Sequence, residues 1–125
     1  MSKKTILIVE DNAAVVVAYL HILECIDNME VTPLVAPSYR KARELLWKEP
    51  VDLIILELIL PDVHTTDILR ELRREHFGIP IILVTGHPDR LELEKSKELG
   101  VTRFFIKPVQ VEPFGLAVQA SLQVA

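Results

Sequence analysis

The chain has a single cysteine, so no disulfide can form within it. Cys25 falls in a helical apolar pattern, and a buried thiol in a reducing cytosol is the expected state rather than a reactive one. Basic clusters are also missing. The 14 Lys and Arg residues are outnumbered by 18 Asp and Glu, giving a net charge of −4. Apart from pairs such as Arg73–Arg74 the cations are dispersed, which leaves no electrostatic footprint for nucleic acid or an anionic membrane. Behind the basic Met1-Ser2-Lys3-Lys4 start, the apolar run Ile6-Leu7-Ile8-Val9 stops at Glu10. It is too short for a signal peptide or a membrane span, and the expected location is the cytoplasm. No repeat, low-complexity tract or linker interrupts the chain, so residues 1–125 are read as one domain. What is present is ordinary globular composition, 50% apolar and 26% charged, in a chain long enough to bury a core without a disulfide or structural metal.

Short apolar runs alternate with helical patterns. Ile6 to Val9 reads as a buried strand. Asn12 caps a helix with Val15, Tyr19, Ile22 and Ile26 on one face. Val31 to Ala36 is a second strand, and Pro33 inside it removes a ladder donor, which points to a sheet edge. Ser38 caps a helix carrying Tyr39, Ala42, Leu45 and Leu46 that closes before Pro50. Val51 to Leu56 is a nearly continuous apolar run and therefore a central strand. Thr65 or Thr66 opens a helix with Ile68, Leu69 and Leu72 that ends near Gly78-Ile79-Pro80. Ile81 to Val84 is the fourth strand. Asp89 caps a charged helix with a thin apolar face (Leu91, Leu93, Leu99), terminated by Gly100. Phe104 to Ile106 is the fifth strand, and a last helix bears Val111, Phe114, Val118 and Leu122. This alternation predicts an α/β fold, a five-stranded parallel sheet with helices on both faces. The edge position of the second strand selects the flavodoxin-like doubly wound order 2-1-3-4-5.

In such sheets ligands bind outside the carboxyl ends of the strands. The first strand ends in Glu10-Asp11, the third in Glu57, the fourth in Thr85-Gly86 and the fifth in Lys107-Pro108. Any one of these is an ordinary polar strand terminus. Together they bring three carboxylates, a hydroxyl and an amine to one rim. Carboxylates that close raise one another's pKa unless a cation neutralises them, and an oxygen-only donor set favours a hard ion such as Mg²⁺. Lys107 and Thr85 supply a point charge and a hydrogen-bond donor for a phosphoryl oxyanion.

The motifs Ile-Leu-Ile-Val-Glu10-Asp11-Asn12, Asp52 through Glu57 to Pro61-Asp62, Pro80 to Thr85-Gly86, and Gly100 to Phe104-Phe-Ile-Lys107-Pro108 resemble the receiver domain of two-component response regulators over essentially the whole chain. The resemblance implies a signalling module rather than an enzyme. Glu10 and Asp11 would be the acidic pair that holds Mg²⁺, with the Ile59 carbonyl and position 57 as further ligands. Thr85 would be the switch hydroxyl, Phe104 the aromatic that rotates inward behind it, and Lys107 the lysine that pairs with the phosphoryl group. The phosphoacceptor position carries Glu57 where the family has aspartate, and Thr65 stands where a loop glycine is usual. A histidine kinase or phosphotransfer protein is the implied upstream partner. An output protein or effector domain is expected on the face formed by the fourth helix, fifth strand and fifth helix.

Glutamate reaches about 1.3 Å further than aspartate, and a misplacement of about 1 Å can cost in-line phosphoryl transfer roughly 100-fold. Asp52, about 16 Å away at the other end of the strand, is no substitute; Asp62 lies in the adjacent loop with nothing in its local sequence to fix it. Three readings follow. The favoured one is a phosphorylation-independent receiver acting as a protein-interaction module, with Glu57 reaching toward Lys107 and Thr85. The second is a conventional Mg²⁺-dependent phospho-switch using Glu57 or Asp62. The third, a small phosphohydrolase, lacks the paired aspartates that flank one residue after the first strand. Mg²⁺ binding is expected to be weak, because Glu57 either ligates or crowds the ion. His64 and His87 read as solvated loop residues, Trp47 and Tyr39 as helix packing against the sheet, and Arg70, Arg73 and Arg74 as a solvated face.

Overall fold

The computed structural model describes residues 2–27, 29–62, 66–76, 78–86 and 90–123. Strands and helices alternate without exception: β1 (Ser2–Val9), α1 (Ala13–Glu24), β2 (Met29–Ala36), α2 (Tyr39–Lys48), β3 (Leu53–Glu57), α3 (Thr66–Glu75), β4 (Ile81–Thr85), α4 (Arg90–Glu98), β5 (Arg103–Ile106) and α5 (Val111–Gln123). The strands form one parallel sheet in the order β2-β1-β3-β4-β5, the flavodoxin-like winding expected from the sequence. Pro33 does lie in an edge strand. β2 starts at Met29 rather than Val31 because β1 extends to Ser2 and pairs with it along its full length. β3 starts only at Leu53. Asp52 is spent on β1 instead, its amide donating to the Thr5 carbonyl and its carboxylate accepting from the Thr5 amide, both at 2.8 Å.

Side chains alternate across the sheet with the strand period of two. Leu7, Val9, Ile54, Leu56, Ile81 and Leu83 face α2 and α3, where they meet Tyr39, Ala42, Leu46, Ile68, Leu69 and Leu72. Ile6, Ile8, Leu53, Ile55, Ile82 and Val84 face α1 and α5, against Tyr19, Ile22, Leu23, Phe114, Val118 and Leu122. On this second face Phe114 stacks on Tyr19 at 5.1 Å between ring centroids and takes Phe105 edge-on at 5.3 Å, so an aromatic row ties β5 to α5 and α1.

The helix starts follow the expected chemistry. Asn12 Oδ1 accepts from the amides of Ala14 and Val15, and Ser38 Oγ accepts from Lys41. Gly100, at φ +78°, ends α4 in the left-handed conformation that a side chain disfavours.

Four expectations about individual residues are corrected. Cys25 is exposed; it caps the end of α1, roughly 110° around the helix from the centre of the inward face defined by Tyr19, Ile22, Leu23 and Ile26. Trp47 is 73% exposed. Tyr39, Ala42 and Leu46 hold the inner stripe of α2, and the next residue points outward, where Trp47 meets His76 edge-on at 6.0 Å. Val111 is exposed too, in the first turn of α5 and off the Phe114–Val118–Leu122 line. Arg73 is not part of a solvated face. Its guanidinium donates to the carbonyls of Leu99 (2.9 Å), Ile79 (2.8 Å) and Gly100 (3.3 Å), fastening α3 to the segments that flank β4 and α4. Arg70 and Arg74 are exposed as expected. The Asp89 cap, Thr65, His64 and His87, and the side chains of Leu91 and Leu93, lie outside the described residues.

Candidate functional site

Strand register assembles the site. Val9 pairs with Leu56, so the next residues, Glu10 and Glu57, emerge side by side where the strand order reverses. Glu57 pairs in turn with Val84, and Thr85 with Ile106. Lys107 therefore enters from the next strand but one, its amide donating to the Thr85 carbonyl at 2.9 Å. The loop after β1 leaves Asp11 exposed, while Glu10 is 2% and Glu57 8% exposed.

The two buried glutamates share one cation. Lys107 Nζ donates to Glu57 Oε1 at 2.6 Å and to Glu10 Oε1 in a short contact. The remaining carboxylate oxygens turn back onto the backbone. Glu10 Oε2 accepts from the Asp11 amide at 3.0 Å, and Glu57 Oε2 from the Leu58 amide at 2.6 Å, with the Ile59 amide at 3.4 Å. Thus every carboxylate oxygen of the pair has a donor. Burial works against a charged Lys107, but its hydrogen bonds and charge contacts with Glu10 and Glu57 outweigh that and hold its pKa above the ordinary lysine value. Two carboxylates on one ammonium leave one negative charge unbalanced. Burial accordingly pushes Glu10 upward, with Glu57 adding to the shift and Lys107 opposing it. Burial and then the charges of Glu10 and Glu57 also raise the Tyr19 hydroxyl.

Thr85 is buried at the end of β4, and Phe104 is half-buried on the α2–α3 side of the sheet. Ile59 lies two residues beyond Glu57 with its side chain exposed. The carboxylate oxygens are the right chemistry for Mg²⁺, but their placement does not fit a divalent ion. Glu10 and Glu57 converge on an ammonium, and among the described residues no three His, Cys, Asp or Glu side chains come together as a group that could hold a metal.

Asp62 has a fixed role that its local sequence did not reveal. Its Oδ1 accepts from the Tyr39 amide and its Oδ2 from the Arg40 amide, each at 3.0 Å. With Ser38 it satisfies the first three amides of α2, donors that helix geometry leaves orphaned. These backbone bonds, the Tyr39 amide first, hold its carboxyl below the ordinary aspartate value. The loop that follows Glu57 is thereby pinned to the start of α2.

A doubly wound sheet with acids, a hydroxyl and a lysine gathered at the carboxyl ends of β1, β3, β4 and β5 is the architecture of a signalling receiver. The family model of the response regulator receiver domain matches residues 6–119. The chain belongs to that family, the receiver domains of two-component signalling. It is similar to the transcriptional regulatory protein MalR of Bacillus subtilis, 27% identical over 113 residues that cover 90% of this chain and 48% of MalR. It is 35% identical to the TorCAD operon transcriptional regulatory protein TorR of Escherichia coli O157:H7 over 88 residues, 70% of this chain and 38% of TorR. The chain thus spans less than half the length of these curated relatives. Among solved structures, the CheY-like receiver domain protein of Methanospirillum hungatei superposes with a TM-score of 0.85 at 26% identity, covering 97% of this chain and 94% of that one. A signal receiver domain from Pseudomonas fluorescens gives 0.88 at 24% identity, covering 97% and 95%, a likeness of fold alone.

Proposed function

We propose that this receiver works without phosphorylation, as a protein-interaction module of two-component signalling. The observation that carries the reading is the state of Glu57, the residue at the expected phosphoacceptor position. Oε1 is held by Lys107 at 2.6 Å and Oε2 by the Leu58 amide at 2.6 Å. A carboxylate attacks phosphorus through an oxygen lone pair that faces the donor in line. Both Glu57 oxygens are engaged by internal donors, with the carboxylate turned onto Lys107 and the Leu58 amide. The arrangement reproduces the contact between acceptor position and lysine without a phosphoryl group.

Asp62 is a poor alternative acceptor, because both of its oxygens serve the amides of α2. The partner surface we favour comprises α4, β5 and α5, where Ile106, Val111 and Leu116 are more than half exposed. Exposed apolar side chains are ordinary when single, so the choice of this face rests on the family resemblance and not on a continuous apolar patch. An output protein or an effector segment is the expected occupant, and a histidine kinase or phosphotransfer protein the expected upstream contact.

Incubation with acetyl phosphate and Mg²⁺ followed by intact-mass measurement tests the reading. The unmodified chain is expected to gain nothing and the Glu57→Asp variant to gain one phosphoryl group. A stoichiometric gain by the unmodified chain overturns the proposal, and Asp62→Asn in the same assay then shows whether Asp62 carried it.

A further inference from the structure

We propose that the amino-terminal end of the sheet carries a small-molecule site, a cleft that takes a carboxylate joined to an apolar body. The site is separate from the acidic rim and does not depend on how Glu57 is read. Asp52, in its wall, lies about 16 Å from Glu57 along the strand direction. The segments that lead into β3, β4 and β5 leave here a cavity of about 550 Å³, bordered by α3 and α5. That is within the size range of small-ligand pockets. Its wall is apolar at Val51, Ile79, Pro80 and Leu122, and charged at Lys4, Arg73 and Asp52.

Arg73 is the group that points to an anion. Its guanidinium is fixed by the carbonyls of Leu99, Ile79 and Gly100. Those three bonds use three of the five N–H donors of an arginine and leave two uncommitted. Burial lowers the Arg73 pKa, and no carboxylate opposes the shift. Among the described residues neither Arg73 nor Lys4 forms an ion pair. Asp52 pairs with neither of them, its Oδ2 accepting instead from the Thr5 amide at 2.8 Å. Two cations against one carboxylate leave the cavity with a surplus of one positive charge, in a chain whose net charge is −4. An inorganic anion would answer that charge but leave the apolar wall in water. An uncharged apolar molecule would strip water from the two cations without pairing them. A carboxylate on an apolar body satisfies both parts of the lining, with charge-assisted hydrogen bonds at one end and apolar burial at the other.

Titration with octanoate at low ionic strength, followed by amide chemical shifts in the nuclear magnetic resonance spectrum and by calorimetry, tests the proposal on the unmodified chain. Saturable binding at millimolar concentration or below is expected, with the largest shifts at Gly78, Ile79, Gly100 and Thr102. Octanamide, which keeps the body and lacks the charge, and inorganic phosphate, which keeps the charge and lacks the body, are each expected to bind more weakly. The proposal is overturned if octanoate does not saturate, or if its shifts centre elsewhere, for instance at the exposed Val17 and Leu116. Octanamide or phosphate binding as tightly as octanoate overturns it as well. Two variants then separate charge from shape. Lys4→Gln is expected to weaken octanoate about threefold, and Asp52→Asn, which keeps an acceptor for the Thr5 amide, to tighten it about twofold. An opposite change in either variant, or no change in both, refutes the site; a change of the expected sign in either supports it.

Discussion

At the rim one ammonium is shared between two buried glutamates. Glu57 reaches Lys107 while its other oxygen caps the Leu58 amide, and Glu10 joins the same ammonium. The three residues are not equivalent to remove. Lys107→Met strands two buried carboxylates and is expected to cost about 3 kcal/mol, the low end for a broken buried pair because Lys107 keeps some solvent. Glu57→Gln leaves a balanced Lys107–Glu10 pair and a neutral acceptor, and is expected to cost less than about 1 kcal/mol. Urea denaturation of both variants without divalent ions checks the asymmetry; equal losses would mean that the shared ammonium is not the organising contact. At the same scale, exposure of Cys25 predicts that one thiol per folded chain titrates with a disulfide exchange reagent without denaturant, where the sequence pattern alone pointed to a protected thiol.

The helices show which contacts are local and which are not. Asn12 and Ser38 lie next to the helices they cap, and their effect is legible from order along the chain. Asp62 sits 23 residues from Tyr39 yet completes the start of α2, and Arg73 closes a gap to carbonyls near residue 100. No periodicity announces either contact, because each depends on which helices the sheet order makes neighbours. Asp62→Asn is expected to cost about 1 kcal/mol near neutral pH, since a charged acceptor facing a helix N-terminus is replaced by a neutral one. The folded state depresses the Asp62 pKa. Its contribution is thus fully present above the unfolded aspartate value and is lost as pH falls through the folded one. The stability gap between the unmodified chain and the variant should stay level from about pH 5 to 8 and close on acidification below about pH 4. A gap that persists undiminished at pH 2.5 would show that the carboxylate charge is not what caps α2.

Across the whole molecule, protection should follow position in the sheet. β3 and β4 are buried along their entire length, whereas β5 is an edge strand exposed at both ends. Hydrogen exchange is expected to be slowest in β3, β1 and β4 and faster in β2 and β5, with local opening of the edges setting the difference. Exchange in β5 as slow as in β3 would indicate a further element covering that edge. No helix among the described residues is long and apolar enough to cross a membrane.

The order of strands, both helix caps near their own helices, and the gathering of Glu10, Glu57, Thr85 and Lys107 at one rim were determined by the sequence alone. Each follows from short-range pattern: alternation of apolar runs, a proline in the second strand, and polar residues at strand ends. Tertiary structure decided what those residues do to one another. The register of β1 against β3 placed two carboxylates side by side, and β5 delivered one lysine between them. Charge sharing of this kind depends on distances of a few ångströms between residues up to 97 positions apart. It is therefore set by packing, not by anything written along the chain.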